Sequence, residues 1–197
     1  MKRSELLLLS LISSALVILV AFFQWDLVDI ITEFLMLPIW LFVYAFFIIV
    51  TVYALIHLFK NRNWQPFVIQ LIAIALWFFF PFNQVNLDLN FKIHQDKREE
   101  VASKIEKGVI KPNVSDNSSL IKLPKEYSRL SKGGGDIVLE TKGKFKSILF
   151  FTYRGMQDNF SGFVYEPNNN KPLKSDFDGD FKQIEKVHKN WYYVSSY

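Results

Sequence analysis

Three carboxylates on alternate residues, Asp176, Asp178 and Asp180 in the run DFDGD, are the densest set of potential metal donors in this 197-residue sequence. Such oxygens suit a hard cation. A helix–loop–helix calcium loop, however, needs glycine at its sixth position and a bidentate glutamate at its twelfth. Counted from Asp176, glycine comes fourth, as Gly179, and the twelfth residue is Val187. The run therefore reads as an acidic turn. These aspartates are the metal candidates, and no cofactor is expected.

Other chemistries fare no better. His57, His94 and His188 are far apart in sequence and share no paired-ligand spacing. Gly133, Gly134 and Gly135 precede a strand-like IVLE rather than a helix, and no GK[ST] follows, so they read as a turn and not a phosphate loop. Ser161 lies in NFSGF, which lacks the GxSxG elbow. Glu99 and Glu100 are adjacent, so a helix points them to different faces and they make a poor acid–base pair. The absence of cysteine excludes disulfides and thiol chemistry.

Two features suit binding. Arg154 ends an apolar strand just before Gly155, where its guanidinium could meet a carboxylate ligand or pair with Asp158. At the C-terminus, NWYYVSSY offers Trp191, Tyr192 and Tyr193, residue types that dominate interface hot spots. The same pattern suits a closing core strand, and the sequence leaves both readings open.

The elements that would position these residues fall into two unlike halves. Residues 1–82 carry Lys2, Arg3, Lys60 and Arg62 as their only Lys and Arg, and Glu5, Asp26, Asp29 and Glu33 as their only acids. All other charges lie in 83–197. Within the first half, apolar runs at about 6–23, 38–59 and 64–82 are each long enough for a helix to cross a hydrocarbon core of ~30 Å. Trp25, Trp40 and Trp64 fall near their ends, as interface anchors do. Residues 26–37 place Asp26, Asp29 and Glu33 on one helical stripe, which predicts a short amphipathic helix at the membrane interface, with Pro38 opening the second span. The span centres lack Asp, Glu, Lys and Arg, which argues against a pump or transporter; Gln70 is the most polar residue deep in a span.

The basic residues sit at the N-terminus and in the KNRN turn, whereas the 24–37 loop has none. The positive-inside bias then places the N-terminus in the cytoplasm and residues 83–197 outside a bacterial-type cytoplasmic membrane. In that second half, Asp96 and Glu99 have capping-box spacing and Gly108 a stop, predicting a helix over 97–107. Strand patterns run from residue 120 onward, punctuated by Gly, Asn and Asp. In KSILFFTYR, Ile148 and Phe150 alternate with Leu149 and Phe151, so both faces are apolar; this is the pattern of an inner strand. GMQDN then makes the turn of a hairpin.

The expected fold is thus a three-helix membrane anchor, 1–82, followed by a small α+β domain with an antiparallel sheet, 83–197. The expected partners are the lipid bilayer and a protein at the outer membrane surface. Nucleic acid is not expected, since the net charge of +4 forms no basic stripe. The expected role is a binding domain of an envelope sensor, an accessory subunit or an immunity-type protein. The alternatives are an extracytoplasmic enzyme without a motif and a channel or transporter subunit.

Overall fold

The computed structural model describes residues 3–115, 117–155 and 159–196. The chain divides into two compact units, Met1–Asn86 and Leu87–Tyr197.

The first unit is helical. It holds α1 (Arg3–Ile31), α2 (Glu33–Asn61), α3 (Gln65–Phe79) and the start of α4 (Phe82–Glu106). Two helices, α1 and α2, are long and apolar enough to cross a membrane; the pair α3 and α4, bent by 66°, makes a third crossing if it counts as one span. The bend falls at Phe80–Pro81, where proline removes a helical N–H and disfavours helix in the residue before it.

Each helix turns one narrow seam inward. On α1 the buried residues Leu6, Ser10, Ser13, Val17 and Val20 alternate steps of four and three. Val43, Phe47, Val50 and Ala54 do the same on α2, and Pro66, Gln70 and Ala73 on α3. Small residues let apolar helices approach closely where no hydrophobic force drives them together. The outward faces carry large apolar side chains: Phe42 is 68% exposed and Phe79 87% exposed. A water-soluble bundle has the opposite arrangement.

Polar contacts mark the two ends of this bundle. At one, Arg3 Nη2 donates to Gln65 Oε1 at 2.9 Å. At the other, Gln24 Nε2 and Trp25 Nε1 donate to Asn83 Oδ1 at 2.8 and 3.1 Å, and Asn86 Nδ2 donates to the Phe22 carbonyl at 3.2 Å. From Arg3 to Gln24, α1 rises roughly 30 Å at ~1.5 Å per residue, which matches a hydrocarbon core. Between the ends lies one polar knot. Gln70, fully buried, donates to Ser13 Oγ at 2.8 Å and accepts from Thr51 Oγ1 at 3.0 Å, joining all three helices.

The amphipathic helix expected at 26–37 is not a separate element. Residues 26–31 continue α1 and residues 33–37 begin α2, with the break confined to Thr32 at φ 81°. Pro38 consequently lies inside α2 rather than at its start. Ile30 and Phe34 are exposed at this tip. Asp26 and Asp29 lie on α1 and Glu33 on α2, so the three acids do not form one helical stripe; a chain reversal at one residue leaves no mark in a periodicity read from sequence.

The second unit is a six-stranded antiparallel sheet in the order β1-β2-β3-β4-β6-β5. Its strands are β1 (Leu120–Lys122), β2 (Asp136–Lys142), β3 (Phe145–Arg154), β4 (Phe160–Tyr165), β5 (Gln183–His188) and β6 (Trp191–Ser195). The inner strand β3 buries both faces. Ile148 and Phe150 join Phe91, Val101 and Ile105 of α4 in one core, while Leu149 and Phe151 join Phe177 and Phe181 in the other. The second face is therefore covered by the segment between β4 and β5. Opposite β3, Gly162 is required by close approach, since a Cβ there would lie 2.4 Å from the Phe150 carbonyl oxygen. The edge strands are short (β1) or carry Glu185 and Lys186 (β5), which discourages pairing with other chains.

The helix expected over 97–107 begins much earlier, at Phe82. Leu87 and Phe91 pack against the same core as Val101, Ala102 and Ile105, so the apolar stripe extends two turns and more toward the N-terminus. Asp96 and Glu99, read as a cap, lie in the middle of the helix. The interruption in the stripe is Arg98, which is 1% exposed. Its Nη2 donates to Asn90 Oδ1 at 2.6 Å, its Nε donates to the Leu130 carbonyl at 3.2 Å, and its guanidinium lies 4.8 Å from the Phe163 ring centre. Burial pushes its pKa down to about 9, which leaves it charged at neutral pH.

Candidate functional site

Arg154 ends β3 on the face away from α4. Its Nη1 donates to Asp136 Oδ2 at 3.2 Å, and its guanidinium lies 5.3 Å from the Phe151 ring centre. Its stem crosses Gly133, where a Cβ would sit 3.0 Å from Arg154 Cδ. The sheet partner of this arginine is therefore Asp136, brought alongside by β2. The Asp158 proposed from sequence lies outside the described residues.

Arg154 borders an open groove of about 510 Å³. Phe151, Phe160 and Phe177 supply its apolar surface, and Asn159 and Asp178 its polar rim. Phe151 and Phe160 come from paired strands and meet edge to face at 5.6 Å. Phe177 arrives from the loop before β5. Phe177 and Asp178 are consecutive left-handed residues, at φ 57° and 55°, and a side chain there costs ~1–2 kcal/mol per residue. Two bonds hold the turn: the Phe177 N–H donates to Glu140 Oε2 at 3.2 Å, and the Gly179 N–H donates to the Asp176 carbonyl at 3.0 Å.

A charged cluster anchors the same loop. Lys142 on β2 donates to Asp176 Oδ2 at 2.5 Å and to Glu166 Oε1 at 3.1 Å, and lies 3.8 Å from Glu140. Glu166 and Asp176 are buried. Burial pulls the Lys142 pKa down, but the bonds to Asp176 and Glu166 outweigh it and leave the group raised. Burial raises the Glu140 carboxyl; the Lys142 charge and the Phe177 N–H oppose this, the Asp176 and Glu166 charges add to it, and the net shift is upward.

This geometry redirects the metal candidates. Asp176 turns inward to Lys142 and the Leu173 N–H. Asp178 lines the groove. Asp180 adds no third donor. Among the described residues no three His, Cys, Asp or Glu side chains converge to hold a metal ion. Alternation in sequence does not make carboxylates converge when the backbone between them turns left-handed.

The C-terminal aromatic residues are interior. Trp191 is 0% exposed and packs against Phe91 and Phe150, while Tyr193 stacks edge-on to Phe163. Tyr192 is buried on the other face, its hydroxyl donating to the Asn169 carbonyl at 2.8 Å. Of the two readings left open, the closing strand describes them; they form no surface patch.

A second groove, of about 420 Å³, lies between α4 and the β5–β6 turn. Glu99, Ser103 and Glu106 line one wall; Tyr165, His188 and Asn190 line the other. Burial and the Glu106 charge raise the Tyr165 hydroxyl. His188 Nδ1 lies 3.3 Å from Gln95 Nε2. His94 does not line this groove; burial and the Arg98 charge lower its pKa. Periodicity could have found the helical wall, since positions 99, 103 and 106 share a face. Nothing in the sequence signals the opposite wall.

No protein-family model matches the chain, and neither a curated protein nor a solved structure matches it.

Proposed function

We propose that this chain is a three-span protein of the cytoplasmic membrane that displays residues 87–197 outside the cytoplasm to bind a partner protein rather than to catalyse a reaction. The exposed apolar faces of α1, α2 and α3 support the membrane placement. The Arg154 groove carries the binding reading: three phenylalanines beside one arginine suit an apolar side chain next to a carboxylate. Among its lining residues only Arg154 and Asp178 ionise, and no nucleophile stands beside a base.

Two experiments test this. The chain has no cysteine, so Ser118→Cys and Asn61→Cys can be probed with an impermeant thiol reagent in intact cells. Labelling at 118 and protection at 61 is expected; the reverse pattern overturns the orientation. A photo-cross-linking residue at Asn159 should capture a partner protein in native membranes, and Arg154→Glu should abolish that product. Persistence of the product in the variant would rule out the groove.

The enzyme reading draws on one observation, the meeting of His188 with Glu99, Glu106 and Tyr165 in the second groove. It predicts ligand capture from Ser103 rather than from Asn159.

A further inference from the structure

Asn63 lies in the turn between α2 and α3 and is only 5% exposed, yet neither its carboxamide nitrogen nor its oxygen has a hydrogen-bond partner. A buried amide with no partner is costly, and groups of this kind call for an unseen ligand or water. Asn63 immediately precedes Trp64, the N-cap of α3. That helix is 15 residues long and starts with no side-chain cap. Pro66 has no N–H to offer, but the other first-turn amides and the positive end of the dipole begin two residues along the chain from the unpaired carboxamide.

The surrounding charge is basic. Lys60, in the last turn of α2, and Arg62, its C-cap, precede Asn63 and are exposed. Arg62 takes the left-handed conformation, at φ 51°, that reverses the chain here. Arg3 arrives from α1 and bonds the side chain of Gln65, the first residue of α3. An uncapped helix start, an unpaired amide and three cationic side chains thus share one end of an apolar bundle. Helix N-termini with backbone and side-chain donors are natural anion sites, and tetrahedral phosphate accepts from several donors at once.

We propose that the α2–α3 turn binds a phosphate group through the Asn63 carboxamide, the start of α3 and Arg62, and that this phosphate belongs to a phospholipid headgroup. The headgroup assignment rests on the reading that the bundle lies in a bilayer; the phosphate assignment does not. The turn would then act as a lipid anchor that seats the end of α3 at the headgroup level.

The test uses the full chain purified in mild detergent, with bound lipid counted by native mass spectrometry. Phosphatidylglycerol, dioleoylglycerol and inorganic phosphate serve as probes. The wild-type chain should retain phosphatidylglycerol and not dioleoylglycerol, which has the same tails without the phosphate. Asn63→Leu and Arg62→Gln should each weaken retention about tenfold, the effect of losing one good donor. Asn63→Leu should melt no lower than wild type, because its amide has no protein partner to lose. A purely structural Asn63 would instead lower the melting temperature and leave retention intact, which overturns the proposal. Arg62 is exposed, so Arg62→Gln carries the test if Asn63→Leu fails to fold. Equal retention in the folded variants, or equal retention of dioleoylglycerol, overturns the site. Protection by inorganic phosphate without phosphatidylglycerol retention keeps the phosphate site and overturns its lipid source. Recovery of the chain outside carbonate-washed membranes overturns the bilayer reading alone.

Discussion

Phe42 and Phe150 both sit in regular secondary structure, and their surroundings are opposite. Phe42 is 68% exposed on the outer face of α2, stacked on Phe46 of its own helix. Phe150 is wholly buried in the sheet, 5.7 Å from Trp191. The helical unit mixes small and polar residues such as Ser13, Gln70 and Ala73 into its inner seam and turns many large apolar ones outward, while the sheet unit gathers its large apolar residues inside. The contrast teaches that "core" has two meanings in this chain. In the sheet unit, apolar burial drives folding. In the helical unit, read as lying in lipid, the outward face gains nothing from burial, and packing plus hydrogen bonds must hold the helices together.

The sharpest way to break this comparison is to truncate phenylalanine in both places. Phe150→Ala and Phe151→Ala should each cost about 3–5 kcal/mol, the usual range for a core ring. Against a total stability of roughly 5–15 kcal/mol, either change threatens the fold. Denaturant titration of the full chain in detergent, followed by proteolysis of the sheet unit, measures the loss. Losses below about 1 kcal/mol at both positions would show that β3 is not the inner strand of a core.

A smaller effect is expected at the polar knot of the bundle. Gln70→Leu removes the bonds to Ser13 and Thr51 and should cost about 1–2 kcal/mol, near the upper measured range for such bonds in membranes. Unfolding in mixed detergent micelles, read by helicity, checks it. A stabilised variant would mean that close packing alone joins the helices.

The charged cluster of the sheet unit should give a pH signature that the helical unit lacks. Glu140 and Lys142 are both raised in the fold. A raised group holds its proton more tightly when folded, so its stabilising contribution is full below the unfolded pKa and fades as pH rises through the folded one. For Glu140 that loss begins above about pH 4.3, and for Lys142 above about pH 10.4. Stability of the sheet unit should therefore decline in two separate windows, mildly acidic and strongly alkaline. Lys142→Met should reduce the alkaline step, leaving the share due to the raised Tyr165 hydroxyl, and loosen the loop that carries Phe177. A flat alkaline profile in the wild-type chain would show that Lys142 contributes nothing to holding that loop.

The smallest effect should come from the lipid-facing side. Phe42→Ala and Phe79→Ala should change bundle stability by no more than about 0.5 kcal/mol, as surface changes do. A large loss would mean that these faces are covered by another protein chain.

The sequence by itself determined where apolar character is continuous and where it alternates. The runs from Leu6 and from Pro38, and the alternation through Ile148–Phe151, have periods set by backbone geometry, so a helical anchor followed by a sheet was legible. Tertiary structure alone decided what interrupts those periods. Arg98 reads as a surface charge within a helix, yet the fold buries it because the Leu130 carbonyl, 32 residues away, accepts from its guanidinium alongside Asn90 of the same helix. Asp176 reads as one of three equivalent aspartates, yet β2 brings Lys142 to it from 34 residues away. The Arg154 groove depends on Phe177, whose left-handed backbone no propensity favours. Partners distant in sequence leave no local pattern, because folding chooses them by closing loops whose cost rises only slowly with length.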